Sequence, residues 1–249
     1  MFKEMKDYYI IEEFEKNGII AVYSKKSLGN MSDYCPSDDD QKENRENLLS
    51  EIGLLDREVV MSHQTHTNNV KIIDEHVTNY VYNGIDAFIS NRKDVALFTF
   101  YADCLPIFSF DIKNKVIGVA HSGWPGTYKE MQKSLITSMK DRFGSEPKDI
   151  LLALGIGIAK KDYEVGLDFY EKFSEKFDSE IIEKSFSYCD EKEKYYFDNI
   201  MFNKIIALRM GIPEENIIIS NESTMEEKFH SFRRDKEKSG RATAMISFK

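Results

Sequence analysis

The sequence predicts an α+β protein, a layered α/β sandwich in which mixed β-sheets are flanked by helices. Strand-like segments follow one another between Val59 and His121 and leave no room for the crossover helices of a regular βαβ repeat. Helical periodicity lies outside that stretch. The chain has 249 residues, of which 41% are hydrophobic and 31% are charged. These values suit one globular domain with a sizeable core, so we expect a single domain over residues 1–249.

The amino-terminal part begins with a strand and a polar loop. The β-favouring run IIAVYS predicts a strand at 19–24, and the polar residues 25–40, with Gly29 and Pro36, predict a loop. Apolar side chains at helical spacing then predict a helix at 41–52.

The middle of the chain reads as consecutive strands. Short strands are expected at residues 57–66, 70–74 and 85–90. The run VALFTFYADC at 95–104 is nearly all apolar, which predicts a buried central strand. We expect 106–111 and 115–121 to continue the same sheet.

The second half alternates helices with strands. Apolar periodicity predicts helices at residues 127–143, 168–177 and 200–210. Apolar, β-favouring runs predict strands at residues 150–157, 216–220 and 243–248.

Composition excludes several classes of protein. The net charge is −9, from 34 basic and 43 acidic residues, so no chain-wide basic surface for nucleic acid exists. No apolar run is long enough to cross a membrane, and the amino-terminal stretch carries acidic residues where a secretory signal would be apolar. Three widely spaced cysteines suit a reducing compartment. We therefore expect a cytoplasmic protein.

Metal-binding side chains stand at the ends of predicted strands. They are His66 in SHQTH, Cys104 in YADC and His121 in AHSGW. Two imidazoles and one thiolate suit a zinc site whose fourth position stays open. Each residue also has an ordinary structural interpretation, as a buried thiol or as a histidine bonded to the backbone. His63 lies three residues before His66 and faces the opposite side of a strand, so at most one of them joins the cluster unless the strand has ended. His76, in a polar run, is expected at the surface.

Six motifs in order carry a resemblance to a known family. They are QTH at 64–66, DAFIS at 86–90, YADCLPI at 101–107, AHSGW at 120–124, YEVG at 163–166, and FHSFRRD with SGR at 229–241. Together they resemble the YfiH/YlmD family, whose members are also called laccase-like or multicopper polyphenol oxidoreductases. The family fold is a layered α/β sandwich, as the strand pattern predicts.

The resemblance implies a zinc-dependent enzyme of purine nucleosides. Members of the family phosphorolyse adenosine, inosine, guanosine and methylthioadenosine, and deaminate adenosine. The family's metal ligands fall on His66, Cys104 and His121. The implied partners are purine nucleosides and phosphate, and the implied cofactor is zinc, with copper as an adventitious occupant.

Further side chains are candidates for substrate binding and catalysis. Arg233 and Arg241 would hold phosphate, or else belong to an exposed charged turn. Trp124 would stack on a purine or simply pack. Cys104 and His121 are expected to act in catalysis, and Asp103 either orients a ligand histidine or makes a turn contact. Asp86 carries the same two interpretations.

Four positions depart from the family pattern. Thr67 and Pro125 stand where relatives have glycine and arginine, the segment LGIGIAKKD replaces a different turn, and Ser223 replaces a frequent cysteine. We expect the first three changes to bear on the shape of the substrate pocket.

Other functions stay open. A multicopper oxidase needs about ten His and Cys ligands, and the chain has five His and three Cys, so copper-dependent phenol oxidation is disfavoured. Cys104 with His121 as its base would make a cysteine-type acyl or amide hydrolase, and the resemblance to relatives linked to cell-wall precursor editing implies cell-wall precursors as its substrates. A degenerate pocket would leave a metal-stabilised binding protein.

Overall fold

A computed structural model describes residues 1–35, 38–74 and 80–249. His76 lies outside the described residues. The strands are β1 (Phe2–Glu4), β2 (Tyr8–Ile11), β3 (Ile19–Ser24), β4 (Glu58–His63), β5 (Val70–Ile73), β6 (Val81–Asn83), β7 (Ala87–Ser90), β8 (Val95–Tyr101), β9 (Leu105–Asp111), β10 (Val116–Ser122), β11 (Ile150–Leu154), β12 (Glu164–Val165), β13 (Phe186–Cys189), β14 (Lys194–Phe197), β15 (Ile217–Ile219) and β16 (Ala242–Phe248). The α-helices are α1 (Glu12–Glu15), α2 (Gln41–Glu51), α3 (Trp124–Tyr128), α4 (Met131–Phe143), α5 (Leu167–Lys176), α6 (Ser179–Ser185), α7 (Asn199–Arg209) and α8 (Phe232–Asp235). Within the described ranges, none of these helices has the length and apolarity needed to cross a membrane.

The strands form two large mixed sheets and one small sheet. The larger sheet has the order β1-β2-β3-β16-β8-β4-β6, and the second has the order β15-β11-β9-β10-β7-β5. Strand β4 runs parallel to both of its neighbours, whereas β16 runs antiparallel to β3 and β8. The small sheet has the order β12-β14-β13. The mixed sheets predicted from the sequence are thus confirmed.

The two large sheets pack face to face between layers of helix. Their shared core includes Phe88, Tyr101, Phe108 and Phe229, all of them buried. Helix α2 covers the outer face of the larger sheet, and α4 with α7 covers the outer face of the second. Strands β8 and β10 are therefore buried on both faces, which explains their almost continuous apolar sequence. The predicted layered sandwich is confirmed.

One prediction about the central strands is wrong. Strands β9 and β10 do not continue the sheet of β8 but belong to the opposite sheet. The chain crosses between sheets at residues 102–104, where Asp103 has a left-handed φ of 86°. That conformation ends β8 at Tyr101 and turns the chain away from the first sheet.

Other boundaries also differ from the predictions. The single helix expected at 127–143 is two helices, α3 and α4, because Glu130 between them has a left-handed φ of 61°. Strand β4 ends at His63, not at His66. The short strands β1, β2 and β6 and the small sheet were not predicted. The small sheet packs with α5, α6 and α7 around an aromatic cluster that includes Phe173 and Phe197.

Candidate metal site

The three predicted ligands come from both large sheets and meet where the chain crosses between them. His66 follows β4, Cys104 follows the crossing turn, and His121 lies in β10. Their ligand atoms all lie within 4.8 Å of one another. The distance from Cys104 Sγ to His66 Nε2 is 3.7 Å. Metal–nitrogen and metal–sulfur bonds of zinc-like length at a tetrahedral angle place such atoms about 3.5 Å apart, so the spacing of this pair fits ligands of one metal ion.

The cluster is buried on one side and open on the other. His121 is buried, Cys104 is partly buried and His66 is exposed. His66 reaches the cluster because β4 has ended and its own φ is 58°, so the alternation of a strand no longer applies. His63, as expected for the second histidine of this pair, stays outside the cluster. Its ring stacks on Tyr34 at a centroid distance of 4.2 Å.

A single buried carboxylate positions both histidines. Asp86 is fully buried, and its Oδ1 lies 2.9 Å from His121 Nδ1 and accepts from the His66 backbone N–H. Its Oδ2 accepts from the N–H groups of Thr65 and Thr67 and from the Thr67 hydroxyl. A His121 tautomer that donates from Nδ1 keeps its Nε2 lone pair for a metal. Of the two interpretations left open for Asp86, the structure favours the orienting role.

The charges at the site suit a metal-binding thiolate. Burial alone would raise the pKa of Asp86, but the hydrogen bond and charge of His121 and the donors of Thr67 lower it to about 2. Burial would likewise raise the pKa of Cys104, but His121 and His66 lower it to about 6. Burial lowers the pKa of His121, while Cys104 and Asp86 raise it to about 9. Without metal, these directions describe a thiolate beside an imidazolium.

The glycine of AHSGW leaves space for the ligands. A Cβ atom on Gly123 would lie 2.6 Å from Cys104 Sγ and 2.9 Å from His66 Cδ2. Any side chain at this position would push both ligand side chains aside. The donor set and this close approach of the backbone both fit a divalent metal held by the three side chains.

Asp103 makes the turn contact and does not orient a histidine. Its Oδ1 accepts from Thr224 Oγ1 at 2.6 Å and its Oδ2 accepts from the Arg233 backbone N–H at 2.6 Å. These bonds attach the segment that begins α8 to the crossing turn. The orienting role considered for Asp103 in the sequence belongs to Asp86, because the crossing turn at Asp103 points its carboxylate towards the carboxyl-terminal segment.

Two adjacent cavities adjoin the cluster. The larger, of about 500 Å³, is lined by the three ligands and by Ser32, Tyr34, Ser62, His63, Gln64, Phe100, Ala102, Trp124, Phe232 and Arg241. The smaller, of about 310 Å³, is lined by Ala102, Asp103, Cys104, Gly123, Ile158, Tyr163, Asn199, Phe232, Arg233 and Lys236. The predicted substrate-binding residues therefore all lie beside the cluster, but they divide between two cavities. Trp124 also packs against Phe169, at a centroid distance of 5.4 Å.

The two arginines at the cavities differ from the other arginines of the chain. Of eight arginines in the sequence, six form ion pairs with carboxylates, namely Arg45, Arg57, Arg92, Arg142, Arg209 and Arg234. Within the described residues, Arg233 and Arg241 have no carboxylate partner. Arg233 Nη2 donates to the Glu164 carbonyl, and Arg241 Nη1 donates to two carbonyls of its own turn. The motifs FHSFRRD and SGR single out these two arginines, but a sequence motif does not show whether a carboxylate lies beside them.

Most of the departures from the family pattern lie outside the cavity walls. Thr67 adds a hydroxyl donor to Asp86, and Pro125 lies in the first turn of α3, where its missing N–H costs nothing. Ser223 donates to Asp162 at 2.7 Å. Only the LGIGIAKKD segment contributes to a wall, through Ile158.

Comparison with known proteins places the chain in a family. Residues 18–249 match the family described as multi-copper polyphenol oxidoreductase laccase. The chain belongs to this family. It is 28% identical over 246 residues to the purine nucleoside phosphorylase YlmD of Bacillus subtilis, covering 94% of this chain and 86% of that protein. It is 29% identical over 267 residues to a purine nucleoside phosphorylase of Staphylococcus aureus, covering 98% and 97% of the two chains.

A solved structure shares the fold. The crystal structure of the hypothetical protein YfiH of Bacillus licheniformis superposes with a TM-score of 0.88 at 24% identity, covering 100% of this chain and 99% of the other. The family's description as multicopper does not fit the ligands. Among the described residues, one group of three side chains (His66, Cys104 and His121) could hold a metal ion. A trinuclear copper centre with a separate type-1 site requires about ten ligands.

Proposed function

We propose that this protein is a zinc-dependent purine nucleoside phosphorylase. The observation that carries the proposal is the His66–Cys104–His121 cluster, which opens into a cavity beside two arginines that have no carboxylate partner in the described part of the chain. A phosphorylase needs a place for an anion and a place for a purine, and cationic and aromatic walls meet at this cluster. The names of the Bacillus subtilis and Staphylococcus aureus relatives support the same substrate class.

The chain's own residues would each have a defined task. His66, Cys104 and His121 would hold the ion, and Asp86 would keep His121 in the tautomer that binds it. Bound zinc supplies Lewis acidity and lowers the pKa of a bound water to about 7. Arg233 and Arg241 would donate hydrogen bonds to the substrates, and Trp124 would border the purine. Cys104 and His121 would act through the metal in this scheme.

We extend the proposal to two finer activities, deamination of adenosine to inosine and phosphorolysis of methylthioadenosine. The support is the match of six motifs to a family with these activities and an open side at the cluster, where an activated water would meet the purine ring.

The test is an assay of protein purified with its metal and analysed for its elements. Phosphate with inosine, guanosine, adenosine or methylthioadenosine should release free base and the sugar 1-phosphate, and adenosine without phosphate should give inosine. Zinc should be present at about one ion per chain, from the single three-ligand cluster of the described residues. Zinc-loaded protein that gives none of these products would refute the proposal. A melting shift with nucleosides in the absence of turnover would indicate a binding protein instead.

A second candidate is a cysteine-type amide hydrolase acting on cell-wall precursors. A catalytic triad would have Asp86 as the orienting acid, His121 as the base and Cys104 as the nucleophile. Asp86 Oδ1 lies 2.9 Å from His121 Nδ1. His66 has no task in such a triad, yet its Nε2 lies 3.7 Å from the thiol, and this favours the metal. The two candidates respond oppositely to zinc. Added zinc should activate a phosphorylase, whereas it should inhibit an amide hydrolase by binding Cys104, which would also protect Cys104 from alkylation.

A further inference from the structure

Two cavities meet at Cys104, and their walls differ in chemistry. Phe232 borders both. The larger is bordered by further aromatic residues, among them Tyr34 and His63, and by one cationic residue, Arg241. The smaller is bordered by two cationic residues, Arg233 and Lys236, and by one further aromatic residue, Tyr163. We propose, on the basis of the proposed phosphorylase function, that the two substrates occupy separate cavities: inorganic phosphate binds in the smaller one between Arg233 and Lys236, and the purine binds in the larger one against the Tyr34–His63 pair.

The charges of the smaller cavity favour an anion. Arg233 has no carboxylate partner among the described residues, and no ion pair joins Lys236 to any of them. Asp103 also lines this cavity, but both of its oxygens already accept hydrogen bonds, from Thr224 and from the Arg233 backbone. Two cations and one carboxylate leave one positive charge to be neutralised. A phosphate with guanidinium and ammonium donors forms short, charge-assisted hydrogen bonds.

The backbone at Lys236 supports the same assignment. Lys236 has φ 53° and ψ −134°, a conformation that residues with a side chain rarely adopt. The strained residue follows α8 directly, and its side chain borders the smaller cavity beside Arg233. Strain of this kind persists where the surrounding structure holds a residue in place, often at a ligand site.

The larger cavity offers a surface for a planar base. Tyr34 and His63 lie nearly parallel, with an interplanar angle of 13°. The loop that carries Tyr34 is held in place by two contacts. Asp33 pairs with Arg45 of α2, and Asn30 Oδ1 accepts a hydrogen bond from the Arg241 backbone N–H. Arg241 lies over the Phe232 ring at 5.9 Å. Arg241 also lines this cavity, and a guanidinium can donate to the O6 and N7 atoms of a base such as guanine.

Separate cavities suit the reaction. A phosphate oxygen forms a bond to C1′ while the bond from C1′ to N9 breaks, and the electron pair of that bond leaves with the purine. The proton of hydrogen phosphate ends on the purine, so the products are the free base and ribose 1-phosphate. Phosphate then attacks C1′ from one side while the purine leaves from the opposite side. Two cavities with a shared wall at Cys104 allow this arrangement.

The test compares KM values for phosphate and for inosine in zinc-loaded variants. R233M and K236M should each raise the KM for phosphate about 10- to 100-fold and leave the KM for inosine within about twofold, whereas Y34A should raise the KM for inosine about tenfold and spare phosphate. R233K should recover part of the phosphate affinity. K238M, which removes the same charge from the same short turn outside both cavities, is the matched control.

A binding measurement separates this inference from the proposed function. Inorganic phosphate alone should raise the melting temperature of the zinc-loaded wild type and of K238M, but not that of R233M or K236M. If this pattern holds and no nucleoside is cleaved, the anion site stands and the phosphorylase function fails. If cleavage is observed but R233M and K236M keep the wild-type KM for phosphate, or R241M raises it as much as they do, the assignment of the cavities is wrong.

Discussion

On one side of the site, Asp86 accepts hydrogen bonds from the loop after β4 and from His121, so that both histidines are fixed before any ligand arrives. On the other side, the guanidinium groups of Arg233 and Arg241 donate hydrogen bonds to backbone carbonyls, and neither has a carboxylate partner among the described residues. The first side is internally satisfied, as a resident cofactor requires. The second is left incomplete, as a site for an exchanging substrate requires. The difference separates the part of the site that we propose binds metal from the part that we propose binds substrate.

The largest effect should come from removing the sulfur ligand. Cys104→Ser replaces a soft thiolate by a hydroxyl, so zinc affinity and phosphorolysis should fall by about 100-fold or more. The measurements are zinc content after dialysis against a chelator and the rate of inosine cleavage. Cys189→Ser, at a cysteine in β13 outside the cluster, is the control and should retain both. Unchanged zinc content in Cys104→Ser would show that Cys104 is not a metal ligand and would contradict the proposed metal site.

The next effect should come from the buried carboxylate. Asp86→Asn keeps the shape but loses the charge that orients His121, so zinc affinity should fall by about 10- to 100-fold. Competition with a chromogenic chelator measures this. Asp111→Asn changes another fully buried aspartate, which caps the β9–β10 turn. That variant should lose stability and keep its zinc affinity, and an equal loss of zinc in both variants would mean that Asp86 acts only through stability.

A smaller effect should follow from adding one methyl group. In Gly123→Ala the new Cβ would displace Cys104 Sγ and His66, which should weaken zinc binding by about tenfold. Gly126→Ala, one turn further on in α3, places its Cβ no nearer than 3.4 Å to any atom outside its own helix and should bind zinc normally. Equal zinc affinities for these two variants would show that the ligands have more freedom than the structure describes.

The sequence was informative where both faces of a strand are buried and where a motif marks a ligand. Every residue of β8 and β10 is buried, so their sequences are almost continuously apolar and do not alternate between polar and apolar residues. The two strands were predicted with small errors at their ends. The structure brings His66, Cys104 and His121 together, as the motifs predicted despite their long spacing along the chain.

What the sequence did not reveal depends on single backbone turns and on distant contacts. The left-handed turn at Asp103 moves β9 to the other sheet. Aspartate adopts this conformation more often than most residues, but the local sequence does not show that this aspartate does so. The same turn decides between Asp86 and Asp103 as the acid behind His121. The Tyr34–His63 pair joins a loop to the end of β4. That no carboxylate of the residues with described positions pairs with Arg233 becomes visible only in three dimensions.

The most direct test of a single divalent ion held by two imidazoles and one thiolate is X-ray absorption at the zinc edge on purified protein. The expected spectrum has one sulfur at about 2.3 Å and nitrogen or oxygen neighbours at about 2.0–2.1 Å, and the sulfur contribution disappears in Cys104→Ser. A zinc environment without sulfur, or a sulfur signal that survives in Cys104→Ser, would contradict the account.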